Sequence, residues 1–211
     1  MSMGILLYAR NRKKMKIINT DSGYSGITSC FRLIMTLLLF TASAELHAAS
    51  FDIEISKSQQ ELRIIKDNEI IKRFHIAYGR GGKGYKRKMG DNKTPVGNYH
   101  IAEVKSDSKF YYFLQLDYPN LVDAWHGYKD RLISARVFKE IAMAYKNKQI
   151  PPQDTALGGY IGIHGIGDVT REKLSIHRRY NWTEGCIAVR NDEMNELLKY
   201  VSIGTHVIIK E

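Results

Sequence analysis

The chain has 211 residues, with 32 Lys and Arg against 22 Asp and Glu, 44% apolar residues and two cysteines. That length fits one domain with or without an appendage; the 26% charged fraction beside the apolar content excludes a disordered chain, and two cysteines exclude a disulfide-built scaffold. The net charge of +10 points to an acidic partner without choosing among nucleic acid, membrane and polyanionic wall.

Arg10, Arg12, Lys13, Lys14, Lys16 and Arg32 precede the apolar run Leu33–Phe40, and small residues follow at Ala42-Ser43-Ala44 and Ala48-Ala49. Positive flank, short apolar stretch and small residues are the parts of an export signal. The apolar stretch Leu33–Ala44 spans 12 residues, short of the roughly 18 that cross a bilayer, so a cleaved signal over 1–49 is predicted rather than an anchor. The long basic lead leaves Met15 as an alternative start. Ile27-Thr28-Ser29-Cys30 imitates a lipid-attachment site but precedes the apolar run, where such a cysteine must follow it. Residues 50–211 then form one domain with 26 basic and 20 acidic residues, net +6. It keeps a single cysteine, Cys186, which is either inertly buried or a working thiol.

In chain order, Phe51–Ser56 alternates apolar and polar residues as a half-buried strand does, and Glu61–Lys66 and Glu69–Tyr78 continue the pattern with turns at 57–60 and 67–68. Gly79–Gly90 is a glycine-rich basic interruption. Tyr99–Val104 and the aromatic run Phe110–Leu116 read as strands. Over Asp130–Lys148 the period changes: Leu132, Ala135, Phe138, Ile141, Ala142 and Tyr145 share one helical face, and Pro151-Pro152 stops the helix. Tyr160–His164 is a short strand. Asn191 reads as the N-cap of a second helix bearing Met194, Leu197, Leu198 and Val201, and His206–Lys210 is a last strand. The fold class is mainly β with two helices (α+β).

Several patterns carry chemistry only on paper. Gly79-Arg80-Gly81-Gly82-Lys83-Gly84 matches G-x-G-x-x-G, but Pro95 and further glycines follow where a dinucleotide site needs a helix, so it reads as a flexible basic loop. Lys109-Phe110-Tyr111-Tyr112 suggests stacking on single-stranded nucleic acid, yet alternating aromatics belong to strands, and no nucleic-acid partner is expected. His164, His177 and Cys186 lack the close ligand pairs of a zinc site, so no metal is expected.

The strongest constellation joins Ile163-His164-Gly165 to Thr183-Glu184-Gly185-Cys186-Ile187-Ala188-Val189. A thiol becomes a competent nucleophile near neutrality with a base beside it, and histidine is the usual one. Gly185 permits a sharp turn whose backbone amides can hold an oxyanion. Residue by residue, a buried cysteine and an unrelated core histidine remain open as the alternative.

Together these residues resemble the L,D-transpeptidase catalytic domain (the YkuD-type fold), whose signature is a histidine followed downstream by Ser/Thr-His-Gly-Cys. Gly90-Asp91-Asn92-Lys93-Thr94-Pro95-Val96-Gly97-Asn98-Tyr99 resembles that family's G-K-x-T-P-x-G-x-Y/F segment, and Gly204-Thr205-His206-Val207-Ile208-Ile209 its closing G-T-x-V-x-I strand. The likeness runs from about Phe51 to the C-terminus. Glu184 stands where the family usually has histidine, and Ala188 where Asn or Arg is frequent; the form W-T-x-G-C-I-A-V resembles a subgroup.

The resemblance implies a β-sandwich of mixed sheets in an exported, periplasmic or envelope-associated enzyme, touching the membrane only through its export signal. Its substrates would be peptidoglycan stem peptides, with a second stem or a wall-anchored protein as acceptor. Cys186 would be the nucleophile and His164 its base. Gly185 and Cys186 amides would hold the oxyanion, and the Gly165 carbonyl would orient the ring. Arg190, Thr183 and Glu184 are candidate substrate contacts. No metal or organic cofactor is implied. The 22-residue interval from His164 to Cys186, rich in Arg171, Lys173, Arg178 and Arg179, is read as a long loop, a lid or groove wall. Hydrolysis of the same bond, by an L,D-carboxypeptidase or a wall-protein-releasing enzyme, is the alternative activity, and a non-catalytic wall-binding module the alternative outside enzymes.

Overall fold

The computed structural model describes residues 51–211; the expected export segment 1–49, with Cys30, lies outside the described residues. Eight strands are formed: β1 (Asp52–Ser56), β2 (Glu61–Lys66), β3 (Glu69–His75), β4 (Gly97–Ser108), β5 (Tyr111–Leu116), β6 (Gly162–His164), β7 (Ile187–Ala188) and β8 (His206–Lys210). They are ordered β3-β2-β1-β8-β4-β5-β6-β7. Pairing is antiparallel except for β1 with β8 and β6 with β7.

The long strand β4 belongs to two sheet halves. Gly97–His100 pairs with β8, whereas the residues from Ile101 onward pair with β5, with a register shift between Ile101 and Glu103. Such an irregularity bends a strand and increases its twist. The halves therefore curl around one core in which Ile53, Ile55, Leu62 and Ile64 meet Tyr99, Leu114, Ile163, Ile187 and Val207. The curl brings the ends of the strand order together. Beyond β3 the chain leaves β2, and Ala77 exchanges both backbone hydrogen bonds with Ala188 of β7, at 3.1 and 2.8 Å. The strand read as Glu69–Tyr78 thus ends at His75, because its next residues change partner.

Among the described residues there are four helices rather than the two predicted. The predicted Asp130–Lys148 helix is α2 (Ala135–Lys146), begun by the Ser134 hydroxyl accepting from the Val137 amide. Before it lies α1 (Leu121–Lys129), unassigned from the sequence. Asn120 caps it, accepting from the Val122 and Asp123 amides, while Asp123 accepts from the Asn120 amide. Ala124, Ile133, Ile141 and Leu157 make a small second core beneath this pair. The interval read as a long loop contains α3 (Arg171–Arg179), with the Thr170 hydroxyl accepting from the Lys173 amide. Its charged composition hides a narrow inward face.

The fourth helix, α4 (Asn191–Leu197), starts one residue earlier than predicted. Its N-cap is Arg190, whose amide donates to the Glu193 carboxylate at 2.9 Å. The Asn191 side chain is used elsewhere: it donates to the Gly167 carbonyl at 2.8 Å, tying the helix to the loop after β6.

Burial identifies which contacts carry stability. Leu114 is fully buried on β5, opposite Ile163 of β6. Leu114→Ala is expected to cost about 2–5 kcal/mol, whereas Val122→Ala, on an exposed position of α1, is expected to stay within about 0.5 kcal/mol. Urea denaturation of both variants checks the contrast.

Candidate active site

The site grows out of the narrow parallel pair β6–β7, in which Ile163 lies beside Ile187 and His164 beside Ala188. This register places Cys186, the residue before β7, on the strand adjoining the one that ends in His164. Both strands are short, but all their residues are buried.

His164 is 2% exposed. Its ring stacks on Phe110 at 4.4 Å, with Phe113 at 6.2 Å and the edge of Trp182 at 5.9 Å. Nδ1 lies 2.6 Å from the Gly165 carbonyl. A carbonyl can only accept, so Nδ1 carries the proton in the neutral ring and Nε2 keeps its lone pair for a base. Burial pushes the imidazole down to about 4, with the Gly165 hydrogen bond opposing. The glycine itself is sterically required: a Cβ at Gly165 would lie 2.6 Å from Asn191 Oδ1 and 2.8 Å from the Phe110 carbonyl.

Cys186 follows Gly185, which has φ +135°; a Cβ there would lie 2.9 Å from Ile161 Cδ1 and 3.0 Å from the Lys93 carbonyl. No other residue fits that turn without displacement. The thiol donates to the Tyr160 carbonyl at 3.4 Å. Burial pushes it up to about 11, opposed by a backbone hydrogen bond from Gly162 and the charge of Lys86, and supported by the charge of Glu184. Thiol and imidazole are therefore both neutral at pH 7, and proton transfer belongs to the bound complex rather than to a resting ion pair.

The Cys186 carbonyl is held by Thr183 Oγ1 at 2.6 Å, with Thr94 Oγ1 at 3.5 Å. Thr183, expected among substrate contacts, is buried, and its hydroxyl also accepts from the Gly185 amide at 3.3 Å. It positions the turn instead of facing solvent. The Gly185 amide, expected to cradle an oxyanion, is thereby engaged in the resting state, and a substrate oxyanion would have to take that donor from the threonine.

Glu184 is exposed and pairs with Arg80 at 2.8 Å. Arg190 pairs with Asp192; its charge bears on His177 and Glu193, and it is absent from the influences on the thiol. His177 is buried edge-to-face on His75 at 5.6 Å, and burial pushes it down to about 4. Among the described residues no three His, Cys, Asp or Glu side chains gather into a metal-binding group.

Sequence reasoning missed Phe110 and Trp182 as the walls of the histidine slot, Lys86 and Thr94 beside Cys186, and Arg80 as the partner of Glu184. Lys86 is the least expected. Its ammonium is buried against Asp91 Oδ1 at 2.8 Å. Although burial opposes ionisation, Lys86 and the amides of Arg87, Lys93 and Lys88 hold the Asp91 carboxyl below its usual range. That knot shapes the turn leading into Thr94. A cavity of about 520 Å³ opens beside His164, walled by Phe110, Ile166, Ile176 and Trp182 with Lys109 and Lys173 among its lining. The interval read as a lid or groove wall thus contributes Ile176 and Lys173 of α3 to that cavity. A cavity of about 590 Å³ lined by His100, Ile141 and Tyr145 shares no residue with this site.

A curled mixed sheet flanked by helices, with a histidine ending one strand and a cysteine leading into its neighbour, defines an α+β domain. The profile of the L,D-transpeptidase catalytic domain (YkuD) matches residues 50–209, and the chain belongs to that family. A putative L,D-transpeptidase, YafK, from Escherichia coli (strain K12) is 29% identical over 87 residues, a stretch covering 38% of this chain and 35% of that protein. Among solved structures, the helical cell shape determining protein Pgp2 of Campylobacter jejuni is 23% identical with a TM-score of 0.51, covering 78% of this chain and 49% of that one. Bd1075 of Bdellovibrio bacteriovorus is 24% identical with a TM-score of 0.47, covering 79% of this chain and 50% of that one. The Pgp2 structure shares the fold. Among the described residues no helix is long and apolar enough to cross a membrane.

The neutral thiol sets a measurable expectation. Alkylation of Cys186 by iodoacetamide should climb about tenfold per pH unit above neutrality and level off only near 11. A plateau already at pH 7 would show a standing thiolate–imidazolium pair.

Proposed function

We propose that the protein is an exported L,D-transpeptidase that acts on peptidoglycan stem peptides through a thioester on Cys186. Residues 1–49 serve as the export signal, placing residues 50–211, the catalytic domain, in the periplasm or envelope. The observation that carries the reading is the tautomer of His164: Nδ1 is tied to the Gly165 carbonyl, leaving Nε2 as the basic atom on the strand adjoining the thiol.

In the bound complex His164 Nε2 takes the thiol proton, and sulfur attacks the carbonyl that joins an L-configured centre to a terminal D-residue. The new C–S bond forms as the carbonyl becomes an oxyanion, which backbone amides at Gly185 and Cys186 can receive. Collapse breaks the C–N bond, and the leaving amine takes its proton back from the imidazolium, so a neutral thioester and a free D-amino acid result. The amine of a second stem, or of a wall-anchored protein, then gives a proton to His164 and attacks the thioester. A peptide bond replaces C–S, and the thiol is restored. Neither step calls for a metal or organic cofactor. Substitution of water for the amine turns the same cycle into hydrolysis.

The full chain incubated with a disaccharide-tetrapeptide should yield an acyl adduct on Cys186 and a released D-amino acid by mass spectrometry, with cross-linked dimers as product. Liberated tripeptide without dimers would replace transfer by hydrolysis. Cys186→Ala should abolish adduct and release together, and full activity in that variant would sink the mechanism. Gly185→Ala, which drives a methyl group against Ile161 and the Lys93 carbonyl, should lower turnover at least about a hundredfold by misplacing the sulfur.

A further inference from the structure

The Gly79-Arg80-Gly81 stretch has no dinucleotide to bind, yet it is among the most tightly specified backbone in the domain. A Cβ at Gly79 would lie 2.2 Å from the Asn92 carbonyl, and one at Gly81 would lie 2.1 Å from the Asp91 carbonyl. Both glycines are there because this stretch lies directly against the backbone of residues 91–93. Three consecutive amides fix it: Gly79 donates to Thr94 Oγ1 at 2.9 Å, Arg80 to the Thr183 carbonyl at 2.9 Å, and Gly81 to the Asn92 carbonyl at 2.8 Å. Gly79 and Thr183 form a parallel bridge.

The side chain of Arg80 is by contrast half exposed, and its guanidinium meets only the solvent-facing Glu184 carboxylate, at 2.8 Å. Rigid backbone beneath an accessible guanidinium is the arrangement of a recognition residue, whose geometry is fixed before the ligand arrives. Its position is equally telling. Glu184 lies two residues before Cys186, and Thr94 Oγ1, which accepts from the Gly79 amide, lies 3.5 Å from the Cys186 carbonyl, so Arg80 leaves the backbone beside the nucleophile's own turn.

We propose that Arg80 is a specificity-determining residue that binds the C-terminal carboxylate of the leaving D-residue, and that Glu184 occupies the guanidinium until substrate displaces it. This rests on the peptide-cleaving reading above. In the bond proposed for attack, the terminal carboxylate carbon is only three bonds from the carbonyl that sulfur meets, so the cation that reads it must lie close to the thiol. Arg80 is tied to the segment that leads into Cys186, its amide to the Thr183 carbonyl and its guanidinium to Glu184. An exposed Arg–Glu pair is weak and readily exchanged, whereas a guanidinium receives a planar carboxylate through two parallel hydrogen bonds. The exchange conserves charge at the site: one carboxylate leaves Arg80 as another arrives. It also moves the Glu184 charge, which disfavours thiolate, out of its resting position as substrate binds.

The test is binding to the full chain carrying Cys186→Ala, which prevents turnover, measured by calorimetry against a disaccharide-tetrapeptide and its C-terminal amide. The free acid should bind more tightly than the amide, by about tenfold to a hundredfold. Adding Arg80→Gln should erase that difference while leaving amide binding unchanged; Arg80→Lys should restore part of it. Adding Glu184→Gln should tighten the acid alone. Equal affinity for acid and amide in the parent protein, or equal loss of both in the Arg80→Gln protein, overturns the proposal. The acyl adduct on Cys186 is a separate readout: its absence from the wild-type protein counts against the function, whereas an adduct formed equally from acid and amide counts against Arg80.

Discussion

Everything at the site depends on the register of a parallel strand pair only a few residues wide. With Ile163 beside Ile187 and His164 beside Ala188, His164 and Cys186 come from adjoining segments. A slip of one residue would turn every side chain of β7 to the other face and change which residue of the cysteine segment lies beside His164. So short a pair cannot hold its own register. It is held by the buried Ile163 and Ile187 in the common core, by the Ala77–Ala188 pair on one side, and by β5 on the other. The catalytic geometry is in this sense a property of the whole sheet rather than of the motif.

Burial then decides the charge state. Both the imidazole and the thiol are shifted towards neutrality by the loss of water, and the nearby charges of Lys86 and Glu184 act on the sulfur in opposite directions. The resting protein avoids keeping an ion pair in a poorly solvated slot, which is costly unless fully hydrogen-bonded. It also keeps the thiol in its less nucleophilic form until a substrate changes its surroundings. Phe110 and Trp182 contribute to this without any chemistry of their own, by excluding solvent around the ring.

The sheet was largely legible because its strands announce themselves by alternation: Ile53 and Ile55, Leu62 and Ile64, and Val207 and Ile209 all fall on the buried face. Helix α1 was not legible. Its sequence exposes Val122, Trp125 and Tyr128 and buries the small Ala124 and Gly127, so hydrophobicity points the wrong way round. Helix α3 is masked by its arginines and lysines, with only His177 fully inside. At the site, the residues of the cysteine and histidine motifs could be found because their chemistry is distinctive. Thr183 was misjudged because a hydroxyl turned inward and one turned outward read alike in a sequence. Arg80 was overlooked because its glycines were read as a flexible basic loop, whereas their reason is contact with the backbone of residues 91–93. Such contacts join segments distant in sequence and leave no local signature.

The backbone exchange between Ala77 and Ala188 closes the strand order two residues beyond the nucleophile. That joint is a single bridge of two backbone hydrogen bonds, and local opening begins at such narrow contacts rather than in a packed core. Thermal softening of this domain would accordingly reach the segment around Cys186 before the core itself parts.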